Sequence, residues 1–158
     1  MAEGIIKKKV MVAVDESDCS YYALQWALEN LANTISDSQL IIFHSSNPIG
    51  YASLAAATYG APPPGLIANI EENQRKLTSA LLDKAKDVCA KHGVVAETIA
   101  EIGDPKEKIC EAVEKLSIQF LVLGSHGRGA IKRAFLGSVS NYCVHNVKCP
   151  VLVVKKAV

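Results

Sequence analysis

Glycine and hydroxyl residues are concentrated between residues 124 and 140, directly after an apolar run. Gly124 and Gly127 are separated by two residues, nine more separate Gly127 from Gly137, and Ser138 follows at once. Glycine lets a backbone approach a ligand closely and present its N–H groups to it. This spacing therefore predicts a backbone cradle for an anion.

A predicted helix begins directly after this segment, at Ser138–Asn146. The N–H groups and the positive dipole end of a helix N-terminus favour an anion, and the Ser138 hydroxyl adds a donor. Two adjacent anion-binding features suit a polyphosphate. The Walker A pattern GxxxxGK[ST] is absent, and Lys132 occupies the third glycine position of the dinucleotide pattern GxGxxG. A turn that serves chain geometry alone is the alternative interpretation.

Three polar side chains could join such a site, each with a simpler alternative. Asp15 ends the first apolar run and could bind a ribose hydroxyl or help to hold Mg²⁺, or it could cap the next helix with Ser17. His126 could contact the ligand or orient a backbone group. Arg128, between Gly127 and Gly129, could screen phosphate charge or lie in a solvated loop.

Short apolar runs alternate with helical patterns along the chain, which is typical of parallel strands covered on both faces of a sheet. The predicted strands are residues 10–14, 40–43, 94–102, 120–123 and Val151–Val154. The third strand is expected to draw its apolar content from Val95, Ile99 and Ala100. Right-handed crossovers then give an α/β fold, a three-layer doubly wound five-stranded parallel sheet in one domain over residues 1–158.

Ligands of such sheets bind outside the carboxyl ends of the strands. The segments that reach this edge follow Val14, Phe43, Ile102 and Leu123. The site expected from the glycine pattern therefore lies where this fold class places its ligands.

Apolar spacing also predicts the connecting helices. One is capped at its start by Ser17 or Asp18, and another is residues 105–116, capped by Asp104. The longest is expected to bury one face, made of Leu66, Ile70, Leu77, Leu81, Ala85 and Val88. Before it, residues 47–66 are rich in Pro and Gly and predict a long loop with a helical turn at residues 52–57.

Composition argues against several other classes of protein. The 158 residues carry 17 Lys and Arg against 16 Asp and Glu, so a net charge of +1 provides no basic excess for nucleic acid. No run reaches the roughly 18 apolar residues of a membrane-spanning helix. The five cysteines form no CxxC pair and none of the histidines form a tight metal motif. We therefore expect reduced thiols in a cytoplasmic protein, or a nuclear one.

The glycine pattern and its flanking strands resemble the universal stress protein family. The motif G-x2-G-x9-G-S from Gly124 to Ser138 is similar to the nucleotide-binding signature of that family. Residues 10–15 and 149–154 look like its first and last strands. The resemblance covers residues 5–156 and is greatest to small single-domain plant members.

This resemblance implies a strand order of 3-2-1-4-5, ATP or AMP as the ligand, and a homodimer joined through Val151–Val154. Any Mg²⁺ is expected to accompany the phosphates, because the sequence has no metal motif of its own. Base and ribose are expected near Asp15, the backbone of Ala13 and Val14, and the main chain of Ser45. Gly124 is expected under the ribose and the α-phosphate. The phosphates are expected at Gly127, Gly137, Ser138, Val139 and Ser140, and the remaining expected contacts are His126, Arg128 and Gly129.

The chain departs from the family pattern in three places. Ser45 occupies a position that is often Val, a change that a main-chain contact tolerates. Ala13-Val14 precedes Asp15 where some members carry Pro and Thr, and the loop at residues 47–66 is longer and richer in proline than in minimal members. The longer loop affects the shape of the pocket mouth and not the phosphate site.

Three functions remain open on the sequence. The first is a regulatory stress-response protein that binds an adenine nucleotide. The second is a slow ATP hydrolase, which the missing P-loop lysine limits to weak activity. The third is a dimeric, chaperone-like interaction module that does not depend on nucleotide.

Overall fold

The computed structural model describes residues 7–48, 55–60, 63–127 and 136–156. Five parallel strands form one sheet in the order β3-β2-β1-β4-β5, with helices on both faces. The strands are β1 (Lys8–Ala13), β2 (Ser38–Ser46), β3 (Glu97–Ile102), β4 (Phe120–Gly124) and β5 (Val151–Val154). The helices are α1 (Asp18–Asn30), α2 (Ala32–Ser36), α3 (Leu66–Lys91), α4 (Pro105–Lys115) and α5 (Ser138–Asn146). The predicted fold class and strand order are confirmed.

Each face of the sheet carries its own hydrophobic core, because successive strand residues point to opposite faces. Val10 and Val12 of β1, and Val14 just after it, pack into the core beneath α1 and α3. Met11 and Ala13 pack into the other core, beneath α4 and α5. Burial on both faces explains why the central strands read as continuous apolar runs.

Two helices, α1 and α4, start at capping residues that the sequence offers. Ser17 caps α1 by accepting from the Ser20 N–H, and Asp104 caps α4 by accepting from the Lys106 N–H. Pro105 stands at the first position of α4, where its missing N–H costs nothing.

Three predicted apolar contacts are wrong. Ala100, predicted among the apolar residues of the third strand, is exposed on β3. The third strand begins at Glu97, and Val95 lies before it with 96 % of its surface exposed. Ala96 is buried instead, so the chain turns its small side chain inward before β3 pairs with β2. Leu77, predicted to lie on the buried face of α3, is 72 % exposed because this part of the helix runs beside an open cleft.

Other differences concern the extent of elements. β2 continues through three polar residues to Ser46, and the short helix α2 has no distinct apolar period in the sequence. In the predicted loop at 47–66, residues 55–57 are helical, and residues 49–54 and 61–62 lie outside the described ranges. Among the helices of the described ranges, none combines the length and the apolar content that a bilayer crossing requires.

A crevice opens where β1 and β4 lie side by side in the sheet. The helix after β1 packs on one face and the helix after β4 packs on the other, so the two helix N-termini diverge above the strand ends. This is the switch point at which sheets of this class bind their ligands.

Candidate functional site

A cleft of about 1050 Å³ lies at the carboxyl edge of the sheet. Its volume is slightly above the roughly 300–1,000 Å³ typical of small-molecule sites. The cleft brings together most of the residues singled out in the sequence: Ala13, Val14, Asp15, Ser45, Gly124, His126, Gly127, Gly137, Ser138, Val139 and Ser140. Arg128 and Gly129 lie outside the described residues.

The N-terminus of α5 opens into this cleft. Gly137 is its N-cap residue, and no side chain caps the helix in the described part of the chain. The Gly137 N–H donates to the Ser125 carbonyl at 2.5 Å, which fixes the turn before the helix. The next backbone N–H groups, from Ser138 onward, therefore stand at a dipole end that favours an anion.

The two serines of this first turn have different environments. Ser138 is exposed at the cleft, so its hydroxyl can reach a ligand. Ser140 is buried, and its hydroxyl lies 2.9 Å from the Ser125 carbonyl and 3.1 Å from the Gly137 carbonyl. The Ser140 side chain thus joins the loop to the helix, and only its main chain remains for the expected phosphate contact.

Close packing explains the three glycines. A Cβ at Gly124 would lie 2.8 Å from the Cys19 carbonyl oxygen, so glycine lets β4 approach the first turn of α1. A Cβ at Gly137 would lie 3.1 Å from the Ser125 carbonyl oxygen. At Gly127 the neighbour is a side chain, because a Cβ would lie 2.7 Å from Asp15 Oδ2.

Asp15 is oriented by the start of α1. Its Oδ1 accepts from the Ser17 N–H at 2.8 Å and also from the Ser17 hydroxyl. Its own N–H donates to Ser20 Oγ at 3.0 Å. Asp15 therefore supports the capped turn and at the same time presents a carboxylate beside Gly127, so the two interpretations of this residue are compatible.

His126 stands between Gly124 and Gly127 in the sequence, and its side chain lines the cleft. Its Nδ1 is buried and has no hydrogen-bond partner among the residues that the structure describes. Buried polar atoms without a partner are uncommon.

Ser45 lies at the opposite end of the cleft, near the end of β2. Its hydroxyl donates to the Gly103 carbonyl at 3.0 Å, and the Gly103 N–H donates to the Ser46 carbonyl at 2.8 Å. These bonds join β2 to the turn before α4, where Asp104 and Pro105 line the cleft. The Ser45 side chain is thus used within the fold, which agrees with an expected role through its main chain.

The cleft wall formed by α1 and α3 carries an aromatic ring and a cation. The Tyr21 hydroxyl donates to the Leu81 carbonyl at 2.9 Å, and Lys84 Nζ lies 4.1 Å from the centre of the Tyr21 ring. Burial, and then the negative charges of Asp15 and Glu16, raise the pKa of Tyr21. The phenol therefore stays neutral at physiological pH.

His44 is a cleft residue that the sequence analysis did not single out. It is only 6 % exposed, and its Nδ1 lies 2.8 Å from the Val14 carbonyl oxygen. Because a carbonyl oxygen can only accept, Nδ1 carries the proton. In the sequence, His44 directly follows the apolar run of β2, and this position is the signal that could have identified it as a cleft residue.

Comparison with known proteins shows which family this chain matches. The model of the universal stress protein family matches residues 7–155. The universal stress protein YxiE of Bacillus subtilis is 34 % identical over 93 % of this chain and 98 % of its own length.

Two solved structures of similar proteins contain adenine nucleotides. A universal stress protein family protein from Arabidopsis thaliana with AMP bound has a TM-score of 0.68 and 27 % identity, over 95 % of this chain and 92 % of its own. A universal stress protein in complex with cAMP has a TM-score of 0.63 and 25 % identity, over 94 % and 97 % of the two chains.

Proposed function

Because the chain belongs to the universal stress protein family, we propose that it binds an adenine nucleotide, ATP or AMP, in the cleft above β1 and β4. The observation that carries this proposal is the N-terminus of α5, which has no side-chain cap among the described residues and opens beside the Asp15 carboxylate and the Gly127 backbone. An anion-binding helix end next to an oriented carboxylate suits a ligand with phosphate at one end and hydroxyl groups at the other.

The phosphates would lie at the N-terminus of α5. The backbone N–H groups of Ser138 and Val139 and the Ser138 hydroxyl are the donors available there. Gly127 and Gly137 keep the backbone close enough to make this contact. Arg128 and Gly129 belong to the same loop and are proposed as additional contacts on the sequence pattern alone.

The nucleoside would lie toward the ends of β1 and β2. Asp15 can accept from ribose hydroxyls, and the main chain of Ala13, Val14 and Ser45 can meet the edge of the base. The bonds from Ser45 and Ser46 to the turn at Gly103 hold this part of the cleft in place before a ligand arrives.

With ATP as ligand, we expect Mg²⁺ to arrive with the phosphates. Mg²⁺ in proteins usually combines one or two carboxylates with substrate phosphates and water. Asp15 supplies a carboxylate oxygen beside the Gly127 backbone, so the donor type fits this ion.

We propose that the bound nucleotide regulates the protein and is not turned over rapidly. The sequence has no Walker A motif, so the lysine that usually supports phosphoryl transfer at such loops is missing. A phosphate-release assay separates this proposal from slow hydrolysis when a glycine-loop variant serves as the blank. A rate in the parent that clearly exceeds the rate of the variant would establish hydrolysis.

The first test is to denature freshly purified protein and identify the released small molecule by its mass and base absorbance. We expect ATP, ADP or AMP in near-stoichiometric amount, or binding of added AMP by calorimetry if the nucleotide is lost in purification. A Gly127→Val, Gly137→Val double variant should bind far more weakly. Failure to bind ATP or AMP at millimolar concentration, or equal binding by the double variant, would refute the proposed function.

A further inference from the structure

The peptide group that joins Val14 to Asp15 is held at both of its polar atoms by side chains. Its carbonyl oxygen, on Val14, accepts from His44 Nδ1 at 2.8 Å. Its N–H, on Asp15, donates to Ser20 Oγ at 3.0 Å. The two side chains come from different elements, β2 and α1, and both are buried. The orientation of this peptide plane is therefore set by two side chains, His44 on β2 and Ser20 on α1.

This peptide plane determines where the Asp15 side chain can point. β1 ends at Ala13, and the Val14 N–H makes one more backbone bond, to the Phe43 carbonyl at 2.8 Å. Beyond that bond, the His44 and Ser20 contacts fix the backbone that carries the carboxylate. The carboxylate itself lies close against Gly127, and both residues line the cleft.

A histidine at this position has a cost that an apolar residue would avoid. The imidazole of His44 is almost fully buried, and a buried polar ring is destabilising unless it is hydrogen-bonded. The ring meets this requirement through the Val14 carbonyl, which neither Leu nor Phe could do. An apolar side chain would avoid this desolvation cost, but it could not hold the orientation of the Val14 peptide group beside the cleft, as the imidazole does.

We propose that His44 is a positioning residue for nucleotide binding, which acts by orienting the Val14–Asp15 peptide and through it the Asp15 carboxylate. This inference rests on the proposed function and deepens it. His44 makes no contact of its own with the ligand in this proposal, so its effect on affinity depends on Asp15.

The binding test uses AMP as the probe and compares His44→Leu with His44→Asn. Leu removes the donor, whereas the Asn amide can place an N–H near the position of Nδ1. We expect His44→Leu to weaken AMP binding about tenfold, the size of one oriented charged hydrogen bond, and His44→Asn to recover most of that loss. His92→Leu is the matched control, because His92 Nδ1 also lies on a backbone carbonyl, at 3.0 Å from Val88 O, at the far end of α3.

A double-mutant cycle tests whether His44 acts through Asp15. In an Asp15→Asn background, His44→Leu should cause little further loss of AMP affinity. A full additional tenfold loss there, or unchanged affinity of the folded His44→Leu protein, would overturn the proposal. Failure of His44→Asn to recover affinity would overturn it as well.

A measurement without ligand keeps this inference separate from the proposed function. Hydrogen exchange of the Asp15 amide should become faster in His44→Leu and return toward the parent rate in His44→Asn, with the thermal midpoint of each variant recorded. If the parent does not bind AMP, the proposed function fails and this exchange result alone decides whether His44 orients the peptide. Unchanged Asp15 exchange in His44→Leu would refute the orienting role.

Discussion

The Asp15 carboxylate lies so close to the Gly127 backbone that a Cβ at Gly127 would stand 2.7 Å from Asp15 Oδ2. The same carboxylate accepts from the Ser17 N–H through its other oxygen. Asp15 therefore contacts the start of α1 on one side and the glycine loop on the other. This contact connects the segment after β1 with the segment after β4, and the cleft opens between these two strand ends.

Gly127→Ala should impair ligand binding more than it impairs stability. The added Cβ meets the end of a side chain, so the Asp15 carboxylate can turn away at modest cost, but it then leaves its position in the cleft. Gly124→Ala is the contrasting variant, because its Cβ would meet the Cys19 backbone, and overpacking of that kind costs about 1–3 kcal/mol. AMP titration together with urea unfolding of both variants checks this. A larger stability loss for Gly127→Ala than for Gly124→Ala would contradict the prediction.

Ser138→Ala should weaken nucleotide binding through the phosphate alone. The hydroxyl is exposed at the start of α5, so its loss leaves the fold unchanged. Loss of a hydrogen bond to a charged phosphate oxygen costs about 1.5–3 kcal/mol, which is roughly a tenfold or larger loss of affinity.

Adenosine provides the internal control for Ser138. Its affinity should be the same for the parent and for Ser138→Ala, whereas the affinity for AMP should differ. Ser36→Ala, which removes another exposed hydroxyl far from the cleft, should change neither. Unchanged AMP affinity in Ser138→Ala would show that the hydroxyl does not bind phosphate.

The parts of the fold that follow local rules were predictable from the sequence. Continuous apolar runs, the Asp104-Pro105 helix start and the Gly137-Ser138 boundary are signals within a few residues of one another, and the structure has these elements where they were expected. The glycine spacing likewise indicated the cleft, because it encodes a close backbone approach before any tertiary contact is known.

The remaining features depend on neighbours that are distant in the sequence. Val95 and Leu77 are apolar, but one precedes an edge strand and the other lines the open cleft, so nothing covers them among the described residues. His44 is hydrogen-bonded to the Val14 carbonyl, thirty positions away along the chain and just after β1. No periodicity reveals such a contact, because it is created by the parallel pairing of β1 with β2.

The free energy of unfolding should fall at alkaline pH in part because of Cys89. Burial raises the pKa of this thiol from its ordinary 9.0 to about 11. Since the unfolded chain loses the proton first, the contribution of Cys89 is complete below pH 9 and is lost as the pH rises toward 11. Urea unfolding of the parent and of Cys89→Ala at pH 7.5, 9 and 10.5 measures the contribution of Cys89 to the free energy of unfolding. Cys89→Ala should have a lower free energy of unfolding than the parent at neutral pH, but this free energy should fall less between pH 7.5 and 10.5. An equal fall in the two proteins would contradict the assignment of the pH dependence to Cys89.

We expect a homodimer joined through β5. This strand pairs only with β4 within the described chain, and Val151, Leu152 and Val153 are partly exposed, so an apolar edge is open to a second copy. A charge on such an edge opposes pairing, so Val153→Lys should convert a dimer to a monomer while the fold remains intact. Light scattering at tens of micromolar measures the mass, and circular dichroism checks the fold. Val144→Lys, which places the same charge on exposed α5 surface, should remain dimeric. A monomeric parent would remove the expectation, and a dimeric Val153→Lys would place the interface elsewhere.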